Sequence, residues 1–139
     1  PILAKKAKEK CEEAQAEVVK SRERVAHLEQ SRERMEMLYL DYVHRSKEAE
    51  KKLHSMAETL NYRGFMQQVK ALVLRVDADL AKANQDLDDK KFLLLAAEKK
   101  RIQMETLMEQ DLKQVRAFHQ KREQREMDAA GVMLYNLKS

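Results

Sequence analysis

Apolar residues recur along the first part of the chain at alternating intervals of three and four residues. From Ala4 to Leu60 this series has 17 positions, of which 14 are apolar. A mean interval of 3.5 residues is the heptad period of a helix that buries one narrow stripe against another helix. The pattern predicts a long helix over about residues 2–60, and its buried stripe is called the first seam. The first seam comprises Ala4, Ala7, Cys11, Ala14, Val18, Ser21, Val25, Leu28, Arg32, Met35, Tyr39, Tyr42, Ser46, Ala49, Leu53, Met56 and Leu60.

A second series with the same period begins at Tyr62. It also has 17 positions, and 14 of them are apolar. It predicts a second helix over about residues 65–130, whose stripe is called the second seam. The sequence does not predict β-strands, because no stretch alternates apolar and polar residues with a period of two. The second seam comprises Tyr62, Met66, Val69, Val73, Val76, Leu80, Ala83, Leu87, Lys90, Leu94, Ala97, Arg101, Met104, Met108, Asp111, Val115 and Phe118.

The segment 61–64, Asn-Tyr-Arg-Gly, separates the two seams. Asn and Gly tolerate the backbone angles of turns, so a turn is predicted at 61–64. The fold expected is all-α: one domain over residues 1–139, formed by a long antiparallel two-helix coiled-coil hairpin. The alternative is one continuous helix through Gly64 that dimerises along its length. A short apolar tail at 131–139 is read either as disordered or as a segment that orders on a partner.

A turn at 61–64 would set the register of the hairpin. Paired residue numbers would then add to about 126, which places Arg32 near Leu94. The same register places Lys90 near Met35 and Asp111 near Ala14. We interpret these three charged seam residues as devices that penalise wrong alignments.

The composition limits which classes of protein the chain can belong to. The chain has 28 Lys and Arg against 24 Asp and Glu, spread over both halves, with a net charge of +4. The sequence has no one-sided basic stripe, so it does not indicate nucleic-acid binding. The single cysteine, Cys11, is typical of a reducing compartment. No apolar run approaches the roughly 20 residues of a membrane helix, and the first residues lack a signal-peptide core, so a cytoplasmic protein is expected.

Catalytic chemistry is not apparent in the sequence. The four histidines are scattered, and none forms a zinc-binding motif with Cys11 or with another histidine. There is no glycine-rich phosphate loop, and a two-helix hairpin offers no deep pocket. We therefore expect no catalytic residue, no metal and no cofactor.

Apolar residues outside the seams indicate binding surfaces, because the hairpin does not need them for its own folding. Either they widen the core or they contact a partner. Leu107 and Leu112 lie off the seam toward the ends of the chain, where a ring or sleeve around the termini would bury them. Phe92, Leu93, Leu95 and Ile102 thicken the apolar face in the middle of the second helix. A further group lies near the predicted turn: Met37, Leu38, Leu40, Val43, Phe65, Leu72 and Leu74.

Three features together resemble the FliJ/YscO family of type III secretion systems. They are a charged, glycine-poor hairpin of this length, Tyr42 with the motif Tyr62-x-x-Phe65, and the basic–acidic segment 121–128. The resemblance covers essentially the whole chain and does not separate flagellar from virulence systems. It implies a stalk protein similar to the two-helix coiled coil of the γ subunit in rotary ATPases.

The resemblance also implies partners and a location. The end with both termini would enter a hexameric export ATPase, and promote its assembly and activity. The hairpin end would contact the cytosolic domain of the export gate, and export chaperones would be escorted. We expect a cytoplasmic monomer, held near the inner membrane by the secretion apparatus. Carried over by position, the partner-binding candidates are Met35, Leu38, Tyr42, Phe65, Val69, Leu72 and Val76.

A different class of function is a scaffold coiled coil that dimerises or bridges partners. A stable rod-like dimer in sedimentation would favour the scaffold, whereas stimulation of a cognate ATPase would favour the stalk.

Overall fold

The protein is all-helical in the computed structural model, which describes residues 2–51 and 56–138. Helix α1 spans Ile2–Lys51 and helix α2 spans Met56–Lys138. The two long helices pack against each other, which confirms the predicted all-α hairpin. Within the described residues, no helix is both long and apolar enough to cross a membrane.

The seams lie where the heptad pattern predicts them. In α1, none of the fourteen seam positions from Ala4 to Ala49 is exposed. In α2, none of the thirteen positions from Tyr62 to Met104 is exposed. Leu53 lies outside the described residues, whereas Met56 and Leu60 are exposed. The most buried side chains all belong to the seams: Ala7, Cys11, Val18, Ser21, Val25, Val69, Val76 and Ala83.

The predicted turn at 61–64 is wrong, because these residues form part of α2. Gly64 does not adopt a positive φ, so its turn-forming freedom is unused. A glycine inside a helix costs only about 1 kcal/mol, which the packing of Tyr62 and Phe65 against α1 offsets. Helix α1 ends at Lys51 and α2 begins at Met56, so the connection falls on residues outside the described ranges.

The predicted change of structure after residue 130 is also absent. Helix α2 continues through Gly131 and reaches Lys138. The segment 132–137 is rich in long apolar side chains, and most of these residues tolerate a helix well. One helical glycine is too weak a signal to end an 83-residue helix.

The chain divides into two compact units, each of which contains part of both helices. The connecting unit is Glu13–Leu94, and the terminal unit is Pro1–Glu12 with Leu95–Ser139. In the connecting unit, the Ser21 hydroxyl donates a hydrogen bond to Asp86 Oδ2 at 3.1 Å. Arg32 Nε donates to Asp77 Oδ1 across the same pair of helices. These contacts establish the antiparallel arrangement of α1 and α2.

The register differs from the predicted one. Residue numbers add to 107 for Ser21 with Asp86 and to 109 for Arg32 with Asp77. Both sums lie well below 126, because the connection lies earlier in the chain than 61–64. Arg32 therefore faces Asp77 rather than Leu94, and Lys90 lies opposite about residue 18 rather than Met35. Asp111 is exposed beside Ile2, Leu3 and Ala4 in the terminal unit, not opposite Ala14.

Candidate functional site

An aromatic cluster joins the helices close to the connection. The rings of Tyr42 and Phe65 stack with centroids 3.9 Å apart and planes inclined by 23°. Tyr62 lies against Tyr42 at 6.3 Å, and the Arg45 guanidinium is 6.0 Å from the Tyr42 ring. Together with Asn61 these residues line an open pocket of about 300 Å³. The cluster is a cross-helix contact, so Phe65 contributes to the hairpin itself.

The structure sorts the seven partner-binding candidates by exposure. Val69 and Val76 retain only 2% and 8% of their accessible surface, so they lie in the core. Leu38 and Leu72 are exposed, at 43% and 47%. Met35, Tyr42 and Phe65 are half-buried. Leu38 and Leu72 are thus the members of the set that present a free surface.

Further apolar side chains surround this end of the connecting unit. Leu40 and Met37 of α1 are exposed, and so is Leu74 of α2. Val43 is half-buried and belongs to the widened core. An apolar side chain exposed beside a seam is typical of a protein-binding surface. Leu38 and Leu72, which each precede a seam residue, are called the connection patch.

The terminal unit carries a long stretch of α2 that its own chain does not cover. Every residue from 106 to 138 is exposed. The second seam nevertheless continues into this stretch with Met108, Val115 and Phe118. Seam residues are apolar because they pack against another helix. The segment 106–138, called the exposed arm, therefore has the pattern of a helix that binds a partner.

An apolar groove lies where the start of α1 meets α2. Its volume is about 610 Å³. Asp111 is the charged residue among its lining side chains. The remaining lining residues are apolar: Ile2, Leu3, Ala4, Met104, Leu107, Met108, Leu112 and Val115. A partner with large apolar side chains would fit this groove.

A cationic face follows farther along the exposed arm. Phe118, Lys121, Arg122 and Arg125 line one shallow pocket of about 310 Å³. Spacings of three, four and seven residues place these side chains on one face of the helix. Arg122 also pairs with Glu126, with Nε and Oε1 3.4 Å apart. This face can receive carboxylates around an aromatic contact.

The last turns of α2 are strongly apolar and fully exposed. Met127, Leu134 and Leu137 retain 68%, 61% and 81% of their accessible surface. Met127, Ala130, Leu134 and Leu137 follow the spacing of one helix face. Such a face is also typical of a helix that packs against a partner.

Two arginines on the seams hold carboxylates. The hydrogen bond from Arg32 to Asp77, and the charge of Asp77, raise the pKa of the Arg32 guanidinium. The charge of Glu105 raises the pKa of Arg101, which also contacts the buried Cys11. Both guanidiniums are therefore cationic at any pH the protein meets. The Arg32–Asp77 pair joins the two helices, whereas Glu105 lies on the same helix as Arg101.

Comparison with known proteins identifies the family. A family model described as "Flagellar FliJ protein" matches residues 2–139. The chain belongs to the FliJ family. It is therefore a protein related to flagellar type III export. No curated protein and no solved structure matches the chain.

Sequence reasoning placed the partner surface of this FliJ family member mainly at the connection end. It noted Leu107 and Leu112, but it treated Val115 and Phe118 as paired seam residues. Both are exposed, at 51% and 66%. The error follows from the turn position, because a connection at 61–64 would have let α1 cover these residues. The correct alignment depends on which residue of the other helix faces each charged seam residue. The heptad period does not reveal this.

Proposed function

We propose that this protein is the stalk and adaptor of the flagellar export ATPase. In this role the exposed arm enters the central opening of the hexameric ATPase, and promotes ring assembly and ATP hydrolysis. The observation that carries the proposal is the exposed arm itself. It continues the heptad seam with apolar residues that no part of the described chain covers.

The chemistry of the arm supports a ring as its partner. A ring can contact a helix on several sides, and the arm offers a groove, a cationic face and an apolar end. Residues 106–138 span about 50 Å at 1.5 Å per residue. That length exceeds the diameter of a small domain, about 30 Å, so the arm can reach deep into an assembly.

The connection patch is proposed to contact the cytosolic domain of the export gate. Leu38 and Leu72 form this patch, and both are exposed although apolar. Tyr42, Phe65, Met35, Val69 and Val76 support this surface from within the hairpin. Export chaperones would be escorted by the same protein. Through these contacts it would act in the cytoplasm, beside the inner membrane.

Stimulation of the cognate ATPase tests the proposal. The purified ATPase is titrated with the full chain, while hydrolysis and hexamer formation are followed. We expect both to rise, and we expect Val115→Asp with Phe118→Asp to abolish the rise. These side chains are already exposed, so circular dichroism should show unchanged helicity.

The control is Leu74→Asp, which alters an equally exposed residue of the connecting unit. It should stimulate the ATPase as the natural sequence does. Absence of stimulation by the natural chain, or equal loss in the control, would contradict insertion of the exposed arm.

A further inference from the structure

Helix α2 carries a second apolar series on the side that faces away from α1. Six positions of the connecting unit follow each other at alternating intervals of four and three residues, and four of them are apolar. All six are exposed. A two-helix hairpin needs one seam on each helix, so its own folding does not require this second series. The series is called the outer stripe and comprises Leu74, Ala78, Ala81, Gln85, Asp88 and Phe92.

The outer stripe is far from α1 around the circumference of α2. Ala78 lies two residues from the seam residues Val76 and Leu80, which is a rotation of about 200° from each. The start of α1 also lies on the seam side of α2, where it shares a groove with Met104 and Met108. A helix that pairs along the outer stripe therefore does not run into α1.

Two copies of the outer stripe fit each other in antiparallel orientation. In this arrangement Leu74 faces Phe92 of a second copy. The two alanines of the stripe then face its two polar residues, so the large apolar side chains meet each other. Each contact occurs twice, because a twofold interface uses the same patch on both molecules.

The charged residues on both flanks of the stripe complement each other in this register. Asp77 lies beside Lys91 of the second copy. On the other flank, Asp89 lies between Arg75 and Lys82 of the second copy, which are seven residues apart on one face. In the part of the chain that the structure describes, none of the three basic residues pairs with a carboxylate. Their charges are therefore available to a second molecule.

The two acidic residues can also accept a further contact. Asp77 binds Arg32 of its own chain through Oδ1, which leaves its second carboxylate oxygen. Asp89 Oδ1 accepts a hydrogen bond from Gln85 Nε2 at 3.1 Å, and this residue is exposed. Both carboxylates can thus meet the basic residues of a second copy without giving up the contacts they have.

Other alignments of two outer stripes are less favourable. In a parallel pair with equal registers, Asp88 would face Asp88 of the second copy. Sliding the antiparallel pair by one heptad separates Leu74 from Phe92, and in one direction it places Lys70 beside Lys91. Like charges in contact are unfavourable, so the flanks favour one orientation and one register.

We infer that the free chain forms a weak antiparallel dimer through the outer stripe of α2. The occupant of the stripe is a second copy of the same chain, because the charges beside the stripe complement themselves. The segment 74–92 is about 28 Å long. Each copy contributes only two large apolar side chains, so the contact falls among weak, transient interfaces. The dimer therefore exchanges with monomer at micromolar concentrations.

The inference goes beyond the proposed function, which uses another part of α2. The outer stripe contains no residue of the exposed arm. A protein that dimerises through the stripe therefore keeps the apolar and cationic residues of the arm uncovered. In the free protein, the dimer would shield Leu74 and Phe92 from non-specific contacts.

Sedimentation equilibrium of the full chain tests the dimer without any other protein. It is measured from about 1 to 500 μM for the natural sequence, Phe92→Asp and Leu93→Asp. We expect a monomer–dimer equilibrium for the natural chain, weakened at least about tenfold by Phe92→Asp. Leu93→Asp is the matched control, because Leu93 is also exposed but lies beside the stripe. It should leave the association constant within about threefold of the natural value.

Cysteine crosslinking tests the orientation of the two copies. Leu74→Cys and Phe92→Cys are made in separate chains, which are treated with a short thiol-specific crosslinker alone and as a mixture. We expect a crosslinked dimer from the mixture only. Within an antiparallel dimer the two copies of position 74 are about 27 Å apart, and so are the two copies of position 92. The natural chain is the control, because its single thiol, Cys11, is buried.

A natural chain that stays monomeric over the whole concentration range would overturn the inference; that is the result expected if the stripe binds a helix of another protein. A control as damaging as Phe92→Asp would also overturn it. So would crosslinking of either cysteine variant alone, which indicates a parallel pair. Neither measurement contains the ATPase, so failure of the dimer and failure of the stalk role are distinguishable.

Discussion

Tyr42 and Phe65 form the closest aromatic contact between the two helices, with ring centroids 3.9 Å apart. Their positions, 23 residues apart in sequence, meet because the helices run antiparallel. Phe65 lies off the seam by its spacing, yet its ring covers the seam residue Tyr42. At the scale of single residues, an off-seam apolar side chain can therefore serve the core or a partner, and only its neighbours distinguish the two.

Phe65→Ala should lower the free energy of unfolding by about 1 to 2 kcal/mol, because the stacked pair is lost. Chemical denaturation followed by circular dichroism measures this change. Leu74→Ala is the control, since Leu74 is exposed and should change stability by less than about 0.5 kcal/mol. Equal effects of the two substitutions would show that the Tyr42–Phe65 stack does not stabilise the hairpin.

Arg32 and Asp77 provide a polar contact that depends on register. Exchanging them, as Arg32→Asp with Asp77→Arg, should recover most of the stability that either single reversal loses. The pair is only partly exposed, and the coupling between the two charges should be favourable. A double-mutant cycle measures it, and a coupling of zero would contradict the observed register.

The raised pKa of Arg32 also has a consequence for pH dependence. A raised folded-state pKa adds stability that is present below the ordinary arginine pKa and is lost only above it. Arg32 protonation should therefore contribute no slope to stability between pH 7 and 9. The same cycle measured at both pH values should give one coupling energy.

At the scale of the helices, periodicity predicted which faces are buried but not how the helices align. None of the seam positions is exposed from Ala4 to Ala49 or from Tyr62 to Met104. Two seams of the same period can slide by heptads and still place apolar residues opposite each other. Alignment then depends on contacts such as Ser21–Asp86, which pattern reasoning cannot pair in advance.

The helical state of Gly64 gives a sharp test of the corrected connection. Gly64→Ala should stabilise the protein by about 0.5 to 1 kcal/mol, because alanine favours a helix and its Cβ meets open space. A turn with positive φ at this position would instead make alanine destabilising. Thermal unfolding distinguishes the two signs. Gly131→Ala is the parallel case in the exposed arm, with the same open surroundings.

At the scale of the whole molecule, the two units present different surfaces. The connecting unit has the connection patch, and the terminal unit has the groove, the cationic face and the apolar end of α2. The family match covers residues 2–139 and thus includes both units. Sequence reasoning named the family, which the match confirms, and it predicted binding surfaces at the two ends, which stays a prediction. It could not separate the exposed arm from the part of the second seam that α1 covers, since both have the same heptad pattern.

Leu38→Ala with Leu72→Ala should weaken binding to the cytosolic domain of the export gate, by roughly tenfold or more if both residues are central to the contact. Isothermal titration calorimetry measures the affinity. The midpoint of thermal unfolding should change little, because both side chains are exposed. Val69→Ala with Val76→Ala is the contrasting pair, and it should lower the midpoint since both residues are buried. Unchanged gate affinity in the leucine variant would exclude the connection patch as the gate contact.

Site-specific photo-crosslinking tests most directly which unit meets the export ATPase. A photoreactive phenylalanine analogue is placed at Phe118 or at Leu74 of the full chain, and the assembled ATPase complex is illuminated. Both positions are exposed, so the analogue disturbs neither unit. We expect a crosslink to the ATPase from position 118 and none from position 74. A crosslink from position 74 with none from position 118 would contradict this expectation.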